Sequence, residues 1–289
     1  MRSARTYPRG MPSALVIRAP GTNCDAEMCR AFQMAGAAVE LVHIEKVCRE
    51  PGMIDGFDLI GFPGGFSYGD DVASGRVFAL KIREKLYSAL RTAAERGVPM
   101  IGACNGFQVL VQTGLLPGPM NGEAWPQEAP AQVTALTENQ DARFCDRWVG
   151  VDISSSSACL WTRGVQEAYG ELAQSVRNDA LQLPVAHGEG RFVTSGPDVM
   201  RSLERGGQVV LRYTDNYNGS QGSIAGICDA SGRIFGLMPH PERYLDWTRH
   251  PYWTRLPKEV LKMDTPGLLM FKNAVNSLLE AGGTGFQPV

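Results

Sequence analysis

Gly102-Ala103-Cys104-Asn105-Gly106 sets a cysteine two positions from each of two glycines. It follows the apolar run Val98 to Ile101 and opens the helical pattern Asn105 to Leu115. A Gly-x-nucleophile-x-Gly sequence between a strand and a helix is a nucleophile elbow, here with cysteine where hydrolases more often carry serine. The turn is sharp and strained, so a Cβ on either glycine is expected to collide with the strand or the helix. The elbow also sets Cys104 at a helix N-terminus, where unpaired N–H groups and the positive end of the dipole favour a thiolate. The chemistry this predicts is nucleophilic catalysis by sulfur. A buried packing cysteine, the common fate of a free thiol, would need neither glycine.

A thiolate nucleophile needs a base, and the histidines are His43, His187, His240 and His250. His240 stands in Met238-Pro239-His240-Pro241-Glu242, after the apolar run Ile234 to Met238. In an extended segment residues i and i+2 face the same side, so Glu242 is placed to orient the His240 imidazole. The flanking prolines stiffen that geometry. Cys104, His240 and Glu242 then form a triad in which the acid holds the base and stabilises its imidazolium. His187, in Ala186-His187-Gly188-Glu189-Gly190, competes for the same role with an acid two positions on.

Phe62-Pro63-Gly64-Gly65-Phe66-Ser67-Tyr68-Gly69-Asp70-Asp71 closes another apolar run. Ligands of open α/β sheets bind at the carboxyl ends of strands, where the cysteine elbow also lies. The Gly64-Gly65 pair there offers a backbone N–H to an oxyanion, with the N–H of Asn105 as second donor. A phosphate loop is excluded by the absence of Gly-x-x-x-x-Gly-Lys-Ser/Thr. Asp70 and Asp71 suggest a turn or helix start rather than a metal, for no third ligand accompanies them. Cysteines 24, 29, 48, 145, 159 and 228 form no Cys-x-x-Cys pair and are expected to be structural.

These groups need a scaffold that brings several strand ends together. In the first 115 residues β-branched apolar runs alternate with helical patterns, as in a parallel sheet with crossover helices. The strands are Ala14 to Ile17, Val39 to Ile44, Leu59 to Phe62 and Val98 to Gly102. Thr22 and Asp25 fit a capping box for a helix with Met28, Ala31, Phe32 and Ala35 on one face. Val77 to Arg96 predicts one long helix whose stripe is Phe78, Ile82, Leu86, Leu90 and Ala93. From Glu138 onward the runs Trp148 to Ile153, Leu183 to Ala186, Gln208 to Tyr213, Ile224 to Ile227 and Ile234 to Met238 sit too close for crossover helices, which predicts antiparallel additions. A last helix is expected from Pro266 with Thr265 as N-cap and Leu268, Phe271, Val275 and Leu278 buried.

The composition excludes several other classes. Of 289 residues, 28 are Lys or Arg and 30 are Asp or Glu, so the net charge of -2 gives no footprint for nucleic acid or an anionic membrane. No window reaches the 18 or so apolar residues of a bilayer span, and the seven cysteines are odd in number and scattered. A soluble protein of a reducing, cytoplasmic compartment is expected. The organisation expected is a flexible basic leader over 1–13, one domain over 14–280 and a loose tail over 281–289.

Taken together the motifs resemble class I glutamine amidotransferases, and within them the glutaminase subunit family of phosphoribosylformylglycinamidine synthase. The class resemblance rests on Gly64-Gly65, Gly102-Ala103-Cys104-Asn105-Gly106-Phe107-Gln108 and His240-Pro241-Glu242. The subunit resemblance adds Pro20-Gly21-Thr22-Asn23-Cys24-Asp25, Gly65-Phe66-Ser67-Tyr68-Gly69-Asp70-Asp71, His187-Gly188-Glu189-Gly190-Arg191-Phe192, Asp215-Asn216, Asn218-Gly219-Ser220 and His240-Pro241-Glu242-Arg243. It is not seen in the leader, in 246–262 or in the tail.

The resemblance implies a flavodoxin-like α/β fold: a mostly parallel central sheet flanked by helices, with added antiparallel strands in the C-terminal half. It implies Cys104 as nucleophile, His240 as base and Glu242 as its orienter, with Gly65, Asn105 and Gln108 serving the oxyanion and the substrate L-glutamine. Glutamine would be hydrolysed through a thioester to glutamate and ammonia. The triad motifs leave no room for an ATP-using domain of ordinary size, so the ammonia is expected to serve a synthetase subunit, together with a small accessory subunit. That partner would carry ATP and Mg and convert formylglycinamide ribonucleotide to formylglycinamidine ribonucleotide in purine biosynthesis; this chain itself would need no cofactor and no metal. The alternatives are a subunit serving another acceptor, as in guanylate or carbamoyl phosphate synthesis, and a cysteine hydrolase or peptidase of similar fold.

Overall fold

Strand β1 (Ser13–Arg18) is buried along all but its last residue, as an apolar run must be when helices cover both faces of a parallel sheet. The computed structural model, which describes residues 10–120 and 122–283, shows both covers. Alternation along β1 sends Ala14 and Val16 into one core and Leu15 and Ile17 into the other. The first core is roofed by α1 (Asp25–Met34) and α9 (Pro266–Gly283), where Phe32 meets Phe271 edge to face at 5.0 Å. The second is roofed by α3 (Arg76–Lys85), α4 (Tyr87–Glu95) and α5 (Asn105–Thr113).

The nine-stranded sheet runs β2-β1-β3-β4-β11-β10-β9-β6-β7. Its parallel part joins β2 (Ala38–His43), β1, β3 (Leu59–Phe62), β4 (Met100–Ala103) and β11 (Ile234–Leu237). The antiparallel part adds β10 (Ile224–Cys228), β9 (Val209–Tyr213), β6 (Cys145–Ile153) and β7 (Gln182–His187). The expected mixed architecture is thus present. The ends of β1, β3, β4 and β11 therefore point the same way, and the loops that leave them carry Cys24, Gly65, Cys104 and His240.

Several local expectations are corrected. Thr22 is not the cap of α1: its hydroxyl accepts the Ala19 N–H at 3.1 Å to close the Pro20-Gly21 turn, and Cys24 is the N-cap instead. The stretch from Val77 to Arg96 is two helices, broken at Leu86, whose φ of -124° leaves the helical region while its side chain stays fully buried. The expected strand to Ile44 ends at His43, which caps the short helix α2 (Ile44–Arg49). The second half holds helices that the strand spacing did not predict: α6 (Val165–Ala168), α7 (Gln174–Ala180) and α8 (Pro197–Arg205). A separate ladder of β5 (Thr134–Thr137) with β8 (Arg191–Thr194) was also not anticipated.

Thr265 does cap α9, accepting the Leu268 N–H at 3.3 Å. That helix runs on through Gly283, beyond the boundary set at 280. Residues 246–262 wrap as three short 3-10 turns, Trp247–Arg249, Trp253–Arg255 and Val260–Lys262. Residues 1–9 of the leader and 284–289 of the tail lie outside the described residues. No helix among the described residues is long and apolar enough to cross a membrane.

Candidate active site

Cys104 joins β4 to α5 with φ 51° and ψ -108°, a conformation that costs a side-chain-bearing residue on the order of 1–3 kcal/mol. Packing on both sides enforces it. A Cβ on Gly102 would lie 2.6 Å from the Gly106 carbonyl oxygen, and one on Gly106 would lie 1.8 Å from that of Phe62. Helix α5 is buried almost throughout, with Phe107 stacked on Phe192 at a 9° interplanar angle and 6.4 Å between centroids. Burying one such ring contributes roughly 2–3 kcal/mol, enough to hold the elbow in place. Cys104 is 5% exposed, and its thiol points to the Ala186 carbonyl at 3.7 Å. Cys104 itself supplies the carbonyl bonded by the Phe107 and Gln108 N–H groups, which leaves the N–H of Asn105 without an intrahelical partner.

His240 follows β11 and is fastened to β7 by its own N–H, which donates to the Pro184 carbonyl at 2.8 Å. Its Nδ1–H donates to Glu242 Oε1 at 2.7 Å, with both side chains buried. Nε2 is buried and has no hydrogen-bond partner among the described residues. The bond at Nδ1 fixes the tautomer and leaves Nε2 to receive a proton. Burial works against the charged ring, but the Glu242 carboxylate and the Cys104 and Cys24 sulfurs outweigh it, so the imidazolium is held well above the usual histidine range.

The rival base is differently committed. His187 Nδ1 donates to Asn139 Oδ1 at 3.1 Å and Nε2 accepts from the Tyr217 hydroxyl at 2.7 Å. Asn139 turns its amide nitrogen to the carbonyls of Arg143 and His187, which settles which end faces the ring. Burial, and then the nearby His240 charge, push His187 down to about 3 from 6.5. With both nitrogens used and the ring neutral, His187 organises the 187–190 turn and has no lone pair left for Cys104.

A depressed histidine makes stability pH-dependent in a definite direction. The His187 contribution is complete above pH 6.5 and is lost as pH falls toward about 3, because the unfolded chain takes up the proton first. Between pH 6.5 and 5 the loss is about 2 kcal/mol. His240, shifted upward, acts in the other window: its contribution is complete below pH 6.5 and fades as pH rises through its folded value. His187→Gln is expected to flatten the stability decline between pH 6.5 and 5, read from urea midpoints at the two pH values. An unchanged slope would mean that His187 is protonated in the folded protein.

The remaining predicted residues cluster around the elbow. Asn105 Nδ2 donates to Gln108 Oε1 at 3.0 Å and to Asp70 Oδ1 at 3.3 Å, while Gln108 Nε2 donates to the Glu189 carbonyl at 2.6 Å. Gln108 thereby ties α5 to the 187–190 turn. Asp70 also accepts from the Gly75 N–H and the Ser74 hydroxyl ahead of α3, and its carboxyl is raised chiefly by burial. Gly64 sits against the base, since a Cβ there would lie 2.6 Å from His240 Cε1. Gly65, at φ 140°, bridges Thr22 in a pair whose hydrogen bonds come from the neighbours, Asn23 N–H to Gly64 oxygen and Phe66 N–H to Gly21 oxygen. Such a pair leaves the N–H of Gly65 itself outside the ladder.

Sequence reasoning missed Cys24. It is fully buried, takes the Arg243 Nη2 donor on its sulfur at 2.9 Å, and shares with His240 and Glu242 a cluster whose potential ligand atoms lie within 4.8 Å of one another. Arg243 beside the sulfur places a positive charge where an ion would bind, and Glu242 is already engaged by His240, so the cluster suits proton chemistry better than a metal. The signals were present in the sequence as Pro20-Gly21-Thr22-Asn23-Cys24-Asp25 and Arg243, but no local pattern joins positions so far apart.

A cysteine at a strand-to-helix elbow, a His–Glu pair at the next strand end and nearby N–H groups without partners among the described residues are the arrangement that a thiol-dependent acyl-transfer enzyme on an open α/β sheet requires. Residues 11–277 match the model of the CobB/CobQ-like glutamine amidotransferase domain. Phosphoribosylformylglycinamidine synthase subunit PurQ of Dehalococcoides mccartyi is 42% identical over 90% of this chain and 95% of its own length. The subunit PurQ of Methanococcus maripaludis strain S2 is 37% identical over 92% and 97%. Among solved structures, PurLQS from Thermotoga maritima superposes with a TM-score of 0.65 at 31% identity, covering 93% of this chain and 99% of that one. A putative GMP synthase subunit from Thermoplasma acidophilum, at 12% identity and a TM-score of 0.51, shares the fold. The chain belongs to the glutamine amidotransferase family, and within it to the PurQ subunits of phosphoribosylformylglycinamidine synthase.

Proposed function

We propose that this chain is the glutaminase subunit that feeds ammonia to a phosphoribosylformylglycinamidine synthetase partner in purine biosynthesis, by way of a thioester on Cys104. The observation that carries the mechanism is the left-handed Cys104 elbow beside a buried His240–Glu242 pair whose Nε2 is unpartnered. His240 takes the Cys104 proton, and the thiolate adds to the side-chain amide carbon of L-glutamine. The carbonyl electrons move to oxygen, where the N–H groups of Gly65 and Asn105 receive the charge. As the intermediate collapses the C–N bond breaks, the imidazolium gives its proton to the departing nitrogen, and ammonia leaves. Water, deprotonated by His240, then attacks the thioester; the C–S bond breaks, glutamate is released and the thiolate is regenerated.

Glu242 serves each protonation of His240 without reacting itself. Gln108, held between Asn105 and Glu189, forms the α5 wall of the glutamine pocket. This chain contributes side chains and backbone donors only; ATP and Mg belong to the synthetase, which uses the ammonia to convert formylglycinamide ribonucleotide to formylglycinamidine ribonucleotide. A small accessory subunit completes the assembly.

Reconstitution with the synthetase subunit of the same organism tests this directly. Glutamine is expected to support product formation only when this chain is present, whereas ammonium supports it with or without the chain. If the complex uses ammonium and leaves glutamine untouched, the assignment is wrong.

A further inference from the structure

The loop after β1 closes on the loop after β3. The N–H groups of Asn23 and Cys24 both donate to the Gly64 carbonyl, at 3.3 and 3.2 Å. Alongside them Phe66 N–H reaches the Gly21 carbonyl at 3.0 Å and Tyr68 N–H reaches that of Pro20 at 2.7 Å. Space between the loops is fully used: a Cβ on Gly21 would lie 2.0 Å from the Phe66 carbonyl oxygen, and one on Gly65 would lie 2.6 Å from the Asn23 nitrogen. The Gly64 carbonyl and the Gly65 N–H are two ends of one rigid trans peptide. Two donors pinning the carbonyl on the side of the β1 loop therefore turn the Gly65 N–H to the opposite side. Gly64 itself packs on His240 and on the Ala103 carbonyl just ahead of Cys104.

Cys24 gives this clamp a second attachment. Its backbone holds the Gly64 carbonyl, while its buried sulfur receives the Arg243 guanidinium at 2.9 Å, three residues beyond the base His240. Strands β1 and β11 are not neighbours, since β3 and β4 lie between them. The Cys24–Arg243 contact thus spans the carboxyl end of the sheet above the strands that carry Gly65 and Cys104.

We infer that Cys24 is a positioning residue for glutamine hydrolysis: with Arg243 it straps the loop that aims the Gly65 oxyanion donor to the segment that carries the base. The inference rests on the thioester mechanism above. Losing one oxyanion donor typically costs 10²- to 10³-fold, and a misplaced donor costs less, so breaking the strap is expected to lower kcat about 10- to 100-fold.

The test uses the reconstituted complex with Cys24→Ala, Cys24→Ser, Arg243→Met and the Cys24→Ala/Arg243→Met double variant. The readouts are kcat and KM for glutamine, the inhibition constant of L-glutamate γ-semialdehyde, and the rate of Cys104 alkylation by iodoacetamide. The aldehyde adds the Cys104 sulfur to its carbonyl carbon and sends negative charge to the oxygen, so its affinity reports the oxyanion donors; alkylation forms no oxyanion and reports the thiolate alone. Cys24→Ala and Arg243→Met are expected to lose kcat and semialdehyde affinity in parallel with KM within about twofold of wild type, and in Arg243→Met, which leaves the Cys24 sulfur beside His240 in place, alkylation is expected within about twofold as well. The double variant is expected to be no worse than either single one, because one strap is broken once. Serine keeps an acceptor for Arg243 and is expected to restore most of the loss. Unchanged kcat and semialdehyde affinity in Cys24→Ala, a loss confined to KM, an equal loss of alkylation in Arg243→Met, or no rescue by serine would each overturn the inference. Failure of the underlying mechanism has a separate signature: wild-type Cys104 would then not be the site that the semialdehyde protects from alkylation.

Discussion

Cys104→Ala is expected to abolish glutamine-dependent synthesis in the reconstituted complex, by about 10⁴-fold or more, and to leave ammonium-dependent synthesis within about twofold of wild type. The asymmetry follows from what the sulfur does. In the proposed mechanism glutamine nitrogen is released only after an S–C bond forms and the C–N bond breaks, so without sulfur no covalent route remains. Free ammonia bypasses both steps and meets the acceptor at the partner's site. The side chain removed is small, and alanine meets the same backbone constraint at φ 51° as cysteine does, so folding is expected to survive. Rates with the two nitrogen donors, measured on one preparation, check this. Equal loss with both donors, or loss with neither, would remove Cys104 from the mechanism.

Gly106→Ala is expected to have the second largest effect, and it tests the scaffold rather than the chemistry. The added Cβ would lie 1.8 Å from the Phe62 carbonyl oxygen, a backbone atom at the end of β3 that cannot rotate away. Either α5 or β3 must move by more than an ångström. Overpacking of this kind costs about 3 kcal/mol or more, which lowers Tm by roughly 5–10 °C in a domain of this size. The same movement separates Cys104, the N-cap of α5, from Gly65, which follows β3, and misplacement on that scale costs about 10²-fold in rate. Thermal unfolding and glutamine turnover measured together check both consequences. A variant with wild-type Tm and turnover would show that the close approach of β3 and α5 is not needed.

The elbow motif and the His–Glu pair were legible because each is local. Gly102-Ala103-Cys104-Asn105-Gly106 needs only a strand before it and a helix after it, and both follow from short-range periodicity. His240 and Glu242 are two residues apart, so their pairing is local; the extended segment expected between them is instead a 3-10 turn, Pro241–Arg243, with His240 as its N-cap, and the turn still brings the two side chains to 2.7 Å. The sequence put His240 ahead of His187, but what separates the two is tertiary. Both have an acid two positions on, and they differ in Asn139 and Tyr217, which reach His187 from positions 48 and 30 residues away. Thr22 was misassigned as a cap for a related reason: its hydroxyl has a nearer claimant in the Ala19 N–H.

By itself the sequence determined the groups on which the proposed chemistry rests: a cysteine in a strained turn, a histidine backed by a carboxylate, and glycines where backbone must come close. It also determined the strand-and-helix alternation that makes a parallel sheet. Only the tertiary structure decided which ends of that sheet meet. The order β1-β3-β4-β11 puts Cys24, Gly65, Cys104 and His240 side by side, although the last strand arrives after the antiparallel excursion through β6, β7, β9 and β10. Strand order is set by which buried faces fit against each other across the whole core, a sum of many weak, non-directional contacts that no short stretch of sequence carries. Hence the groups of the proposed reaction could be read from their neighbours in the chain, while Cys24, which meets Gly64, His240 and Arg243 through tertiary contacts alone, could be recognised only once the sheet was closed over it.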